Sequence, residues 1–207
     1  MPRIEAASIA EHVEQQTDRL LDVASVLFKT RGYRQTDMGM IAAEMGLARS
    51  SLYRYYRNKD HVLLDCIKRD MTPLLVDFAT LTERYPDPLE RVDAWLDLQV
   101  DSATSPDHPG IELMNELRHA DEELQQQILL LHKQPARVLD DALSAMEPIS
   151  TAEVSLFATM IIGMTHAAAR HILDHSILDD AKAEQVARRQ LKAAVRQVLQ
   201  MGEHDQH

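Results

Sequence analysis

The chain has 207 residues and a formal net charge of −11, with 22 Lys and Arg against 33 Asp and Glu, one cysteine and 4% aromatic residues. That length can bury a substantial core in one or two domains, the shortage of glycine and aromatics beside abundant Ala, Leu, Gln and Glu favours an all-α chain, and the lone Cys66 excludes an internal disulfide. No run reaches the roughly 18 consecutive apolar residues of a membrane span, and the opening Met-Pro-Arg-Ile-Glu-Ala-Ala lacks the apolar segment of a secretory signal, so a cytoplasmic protein with no membrane partner is expected.

Taken in order, Leu20, Leu21, Ala24, Leu27 and Phe28 predict a first helix from about Thr17 to Thr30, closed by Gly32. Thr36 can cap a second, short helix, because its hydroxyl can accept from an orphan amide of the first turn. Met38, Ile41, Ala42 and Met45 give that helix one apolar stripe, and Gly46 ends it. Gly39 inside it either permits a close approach or is merely tolerated, and tolerance is the favoured reading. Ala48 then precedes a third helix beginning at Arg49 and reaching Tyr56. Leu47 and Leu52 form a hydrophobic staple across its start, Leu52 and Tyr56 point inward, and Ala48 supplies no side-chain cap.

Two short helices joined by a glycine turn make a helix-turn-helix, whose second helix lies in the major groove of DNA. Arg49, Ser50 and Ser51, at the leading end, are the candidates for base edges. Thr36, Tyr53, Tyr55 and Lys59 are expected to hold phosphates, and Arg54 suits either task. Asn58 can cap the fourth helix, leaving Lys59 in its first turn to reach the backbone of DNA. Residues 29–59 hold seven basic side chains (Lys29, Arg31, Arg34, Arg49, Arg54, Arg57 and Lys59) against Asp37 and Glu44, a local charge of +5 on a chain whose remainder carries −16. Such asymmetry would turn one end of the molecule toward a duplex.

The fourth helix is predicted from Lys59 to about Leu81, kinked or split at Pro73, with Cys66 on its apolar face. Tyr85-Pro-Asp-Pro88 is a turn, and Pro88 opens the helix that carries Trp95. Residues 105–110 form a loop, 111–119 a short helix, and Glu122–Met146 a longer one interrupted near Pro135. Helices from Thr151 to His175 and from Asp180 to Met201 complete the chain. In the last of these Ala187, Leu191, Ala194, Val198 and Met201 recur at alternating four and three, the spacing of a coiled-coil seam. The helix before it carries the small residues Gly163, Ala167, Ala168 and Ala169, which allow another helix to approach. These two helices are the candidate homodimer surface.

From about Thr17 to Ile67 the chain resembles the DNA-binding domain of the tetracycline-repressor (TetR) family of bacterial transcription regulators. The matching residues are Gly32-Tyr33, Thr36, Ile41-Ala42, Gly46-Leu47, Ser51-Leu52-Tyr53, Tyr55-Tyr56 and Lys59-Asp60. Family members commonly have Ser or Thr where Ala48 stands. The resemblance implies an all-α fold with a DNA-binding part, residues 1–62, and an effector-binding and dimerisation part, residues 63–207. It also implies a homodimeric repressor that leaves a near-palindromic operator when a small molecule enters a cavity among the middle helices. Candidate lining residues are Phe78, Trp95, Leu98, Met114, His119, Leu131, Phe157, Met160, Met164 and His166. A regulator that activates, or one that answers to a partner protein, is the alternative. A reading from a different class is metal binding or catalysis by His171 and His175, four apart on one helix. Neither an adjacent Glu nor a cysteine completes that site, and no phosphate-binding, dinucleotide or G-x-S-x-G pattern is present, so no cofactor and no enzyme activity are expected.

Overall fold

The computed structural model describes residues 2–105, 116–117, 121–147, 149–176 and 181–201. All regular structure among them is helical: α1 (Pro2–Arg31), α2 (Met38–Glu44), α3 (Arg49–Leu52), α4 (Lys59–Arg84), α5 (Pro88–Thr104), α6 (Glu122–Ser144), α7 (Thr151–Ser176) and α8 (Ala181–Met201). The chain forms two compact units, one from Met1–Asp70 with Pro109–Leu129, the other from Met71–His108 with Leu130–His207. Of the predicted short helix at 111–119 only residues 116 and 117 are described.

In the first unit, Leu20, Leu21, Ala24, Leu27 and Phe28 are buried, as their spacing predicts. α1 nevertheless begins at Pro2 rather than Thr17. Residues 11–15 are exposed. Gly32, at φ 85°, ends the helix, and the Phe28 and Tyr33 rings meet at 5.4 Å between centroids. Ile41, Leu52, Leu63, Leu64 and Ile67 complete a core in which Cys66 lies buried, its Sγ 3.6 Å from the Leu21 carbonyl oxygen. Burial pushes that thiol up to about 11. α4 runs unbroken through Pro73 to Arg84. The proline is on an exposed position, where water can replace the helical hydrogen bond it removes.

The second unit is built on α5, α7 and α8, which pack on one another. Its core joins Phe78, Val92, Trp95, Leu96, Leu139, Leu143, Phe157, Ile161, Val195 and their neighbours. Trp95 Nε1 donates to the Pro135 carbonyl oxygen at 2.8 Å, giving a buried indole the partner it needs. α6 passes through Pro135 without the predicted interruption. Asp87 caps α5 by accepting from Glu90 N at 2.9 Å, with Pro88 at the helix start as predicted. The buried Arg91 donates to the carbonyl oxygens of Tyr85 and Pro86, at 3.0 and 3.1 Å, closing the chain after α4. α7 opens with a reciprocal box: Ser150 N donates to Glu153 Oε2 at 2.8 Å, and Glu153 N to Ser150 Oγ at 3.4 Å. α7 is also the one described helix long and apolar enough to cross a membrane. Its Val154, Phe157, Ala158, Ile161, Thr165, Ala169 and Ile172 are buried in the protein.

Candidate nucleic-acid interface

The helix-turn-helix assembles from local hydrogen bonds. Asp37, not Thr36, is the cap of α2, its Oδ1 accepting from Gly39 N at 2.6 Å and Met40 N at 2.9 Å. These two amides, Met40 foremost, hold the exposed carboxyl below its usual range. Thr36 is fully buried, and its hydroxyl donates to the carbonyl oxygens of Gly32 at 2.9 Å and Leu27 at 3.3 Å. The expected capping and phosphate-holding role of Thr36 is therefore corrected: its hydroxyl is spent on the end of α1. Two cap-competent residues stand side by side, and a shift of one position separates the surface from the core. A Cβ at Gly39 would stand 3.0 Å from Asp37 Oδ1, a tight approach, and 3.7 Å from Arg49 Cδ, an ordinary contact, so the close-approach reading gains support.

α2 ends as its sequence requires. Gly46 takes φ 70°, with Gly46 N donating to Ala43 O at 3.0 Å and Leu47 N to Ala42 O at 2.8 Å. This is a Schellman closure. Ala48 makes no side-chain cap bond to α3. α3 is shorter than predicted, because the chain tightens after Leu52: Arg54 N bonds Ser51 O, and Tyr55 N bonds Leu52 O. Leu52 and Tyr56 are buried all the same, so the predicted inward face survives the change of helix type.

The outer face carries Arg49, Ser50, Tyr53 and Arg54 in the open, with Ser51 and Tyr55 half-buried. Arg49 Nη2 is 3.3 Å from Tyr53 Oη, and its guanidinium carbon 5.9 Å from that ring. The arginine stem is thus braced between α2 and Tyr53, with its head exposed. Lys59 behaves otherwise. Its Nζ donates to Tyr33 O at 3.0 Å and Thr36 O at 3.1 Å, and lies 4.2 Å from the Tyr33 ring centre. Two of its three donors close the α1–α2 turn onto the start of α4, which leaves one for the expected phosphate. Asn58 caps α4 as predicted, accepting from Asp60 N at 3.0 Å and His61 N at 3.1 Å. The Tyr33 hydroxyl donates to Asp60, and the Tyr56 hydroxyl to Asp65 at 3.0 Å. Burial, then these carboxylates, push both phenols above their ordinary range. Arg34, unremarked beyond its charge in the sequence, pairs with Glu116, Nε lying 3.0 Å from both carboxylate oxygens.

The described residues among those expected to line an effector cavity lie in different settings. Phe78, Trp95 and Phe157 are buried core, with Leu98 and Met164 packed against it. Leu131 is half-buried on α6, while Met160 and His166 are exposed on α7. Met114 and His119 lie outside the described residues. Helical spacing gives the same signal for a filled core and for a cavity wall. A shallow groove of about 400 Å³ is bordered by Leu81, Arg84, Tyr85, Glu90, Asp93, Ala94, Asp97 and Leu98, and of the predicted set it contains Leu98 alone.

On the candidate dimer surface, Gly163 and Ala167 are exposed, and a Cβ on Gly163 would meet nothing within 4 Å. With Leu156 and Met160 they form an open apolar stripe on α7 at four-three-four spacing. On the α8 seam, Leu191 is buried with Val195 and Leu199, and the half-buried Ala187 and Val198 pack against the same core, so internal packing takes up part of the seam. Ala194 is half-buried. His171 is exposed on α7, and the His175 side chain lies outside the described residues; among those described, no three His, Cys, Asp or Glu side chains converge.

Residues 20–66 match the family described as bacterial regulatory proteins, tetR family, and the chain resembles that family through this module. The HTH-type transcriptional regulator SAB2452 of Staphylococcus aureus is 26% identical over 94 residues, 44% of this chain and 51% of that protein. The chain thus spans about half the length of the curated relatives it matches. Among solved structures, the regulator FadR from Bacillus subtilis in complex with stearoyl-CoA superposes with a TM-score of 0.61 at 21% identity, over 88% of this chain and 95% of that one. A TetR transcription regulator from Haloarcula marismortui superposes with a TM-score of 0.67 at 15% identity, over 88% and 97%. These likenesses give the fold: all-α, with an N-terminal helix-turn-helix followed by a helical C-terminal part.

Proposed function

We propose that this chain is a cytoplasmic, homodimeric DNA-binding transcription regulator, a repressor that leaves a near-palindromic operator on binding a small effector, and not an enzyme. The observation that carries the reading is the α2–Gly46–α3 motif, with Leu52 and Tyr56 buried beneath an outer face of Arg49, Ser50, Tyr53 and Arg54. Its coincidence with the family match over residues 20–66 and with a local charge of +5 supports contact with duplex DNA. Arg49, Ser50 and Ser51 read base edges, Tyr53 and Tyr55 hold phosphates, and Arg54 serves either task. Residues 1–62 serve DNA, and 63–207 serve the effector and the second subunit. The open Leu156–Met160–Gly163–Ala167 stripe supports α7 as the dimer contact, and a dimer presents two recognition helices about 34–36 Å apart to successive major grooves. The stearoyl-CoA held by the FadR structure supports a small-molecule effector, received by the second unit.

The test is binding to duplexes from the region upstream of the chain's own gene, across a salt series. Salt-sensitive binding with a protected near-palindrome is the expected result. Arg49→Ala costs about 1–3 kcal/mol on that site and little on random duplex, as a base contact requires. Equal losses on both duplexes remove Arg49 from base reading; a monomer without salt-sensitive binding removes the function.

A further inference from the structure

Arg34 sits in the turn that leads into α2, one of the seven basic residues of the module, and among the described residues it is the one paired with an acid from far along the chain. Its side chain is 84% exposed, whereas Glu116 is 26% exposed. Both residues belong to the first compact unit. The contact is of an unusual kind. Nε alone is shared between Oε1 and Oε2, at 3.0 Å each, instead of two nitrogens meeting two oxygens side by side. The terminal amino groups of Arg34 have no partner among the described residues. They are the part of a guanidinium that forms a two-pronged contact with a phosphate.

The surroundings hold the Arg34 backbone firmly at the edge of the module. Thr36, two residues on, is pinned beneath the turn by its bonds to Gly32 and Leu27. Tyr33, the preceding residue, is pinned by Lys59 and Asp60. The backbone on both sides of Arg34 is therefore fixed while its side chain is free to swing. Five residues on, within α2, Gly39 lies close to the stem of Arg49, so the helix that this turn leads into packs beside the recognition helix. Glu116, by contrast, comes from the connection between α5 and α6, outside the helix-turn-helix.

We propose that Arg34 is an additional phosphate-binding residue held in reserve by Glu116, so that the placement of the 116–117 segment sets how strongly the module grips DNA. This rests on the DNA-binding reading above and adds to it a residue and a means of control. An exposed ion pair of this type is weak enough to be exchanged for a phosphate, and the exchange removes a carboxylate from the duplex while adding a cation to it. Any event that shifts Glu116 would thereby change affinity without moving α3.

The experiment compares wild type, Glu116→Gln, Arg34→Gln and the double variant on a mixed-sequence duplex, since phosphate contacts do not depend on sequence. Glu116→Gln is expected to bind about two- to five-fold tighter than wild type. The double variant should lose that gain, and its log–log salt slope should be shallower than that of Glu116→Gln by about 0.9, one phosphate contact. If Glu116→Gln tightens binding equally in the Arg34→Gln background, the effect is long-range repulsion and the reserve role is overturned. No change, or weaker binding, in Glu116→Gln overturns it too, while wild-type binding leaves the regulator reading standing. If wild type itself shows no salt-sensitive binding, that reading falls and Arg34's role falls with it.

Discussion

Lys59 Nζ stands 4.2 Å from the centre of the Tyr33 ring and 3.0 Å from that residue's carbonyl oxygen. A side chain that looks from the sequence like a hand for phosphate is a brace between α4 and the turn before α2. The consequence is measurable. Lys59→Ala removes two charge-assisted hydrogen bonds and a cation–π contact, a cost of about 1–3 kcal/mol in folding stability. Thermal unfolding is expected to show that loss. Any weakening of DNA binding should then track the fraction folded, and the salt slope of the folded variant should stay at the wild-type value. A slope shallower by about 0.9 would restore Lys59 to the phosphates.

Thr36 invites the same test from inside. Thr36→Val keeps the shape but leaves the Gly32 carbonyl without its hydroxyl donor. A loss of about 1–2 kcal/mol is expected, with DNA affinity unchanged at temperatures where the variant is folded. Reduced affinity at full folding would mean that the residue does more than close the turn.

These two residues show where the sequence ran out. Motif spacing located α2, Gly46 and α3, and the inward face of Leu52 and Tyr56, because glycine conformation and apolar periodicity are local rules. Which of Thr36 and Asp37 caps α2 depends on how the Tyr33-Arg34-Gln35 turn lands, and that is decided by Lys59 and Asp60, more than twenty positions away. The Arg34–Glu116 pair, 82 positions apart, carries no sequence signal at all. In the second unit the helices were legible, but not which faces met. Leu191 and Val198 read as a seam for another chain, and the fold uses them on its own core.

Paired charges flank that internal use. Asp93, Asp97 and Asp101, four apart on α5, face Arg196, Lys192 and Arg188, four apart and in reverse order on α8. Lys192 Nζ lies 2.6 Å from Asp97 Oδ2 in the middle rung. Such a ladder sets an antiparallel register, since a one-turn slip would leave an end of it unpaired. Asp97→Lys places like charges together and is expected to cost about 1–2 kcal/mol. Adding Lys192→Asp should restore most of it in a double-mutant cycle, and added salt should shrink the difference. Independent, additive losses would show that the rung does not act as a pair.

Gly39→Ala separates propensity from packing. Propensity alone promises about 1 kcal/mol of added stability. The new Cβ, however, would press on Asp37 Oδ1 at 3.0 Å, and that oxygen is tied to two amides and cannot yield without loosening the cap. No net stabilisation is expected, and in an Asp37→Ala background the same substitution should stabilise. A full gain with Asp37 present would mean the cap moves freely.

The module should also fail from the alkaline side. Tyr33, Tyr56 and Cys66 all hold their protons more firmly folded than unfolded: the phenols because they are buried and donate to Asp60 and Asp65, the thiol because it is buried. A group of this kind supports folding fully below its unfolded value and withdraws that support as pH climbs toward the folded one. The ordinary values are 9.0 for the thiol and 10.0 for the phenols, and the folded thiol stands at about 11. Stability should therefore decline from about pH 9 upward, with no counterpart from these groups near neutrality. Tyr33→Phe together with Tyr56→Phe removes the two phenols from the balance, and the denaturation midpoint of that variant should fall less steeply between pH 9 and 11. An unchanged slope would place the alkaline sensitivity elsewhere in the chain.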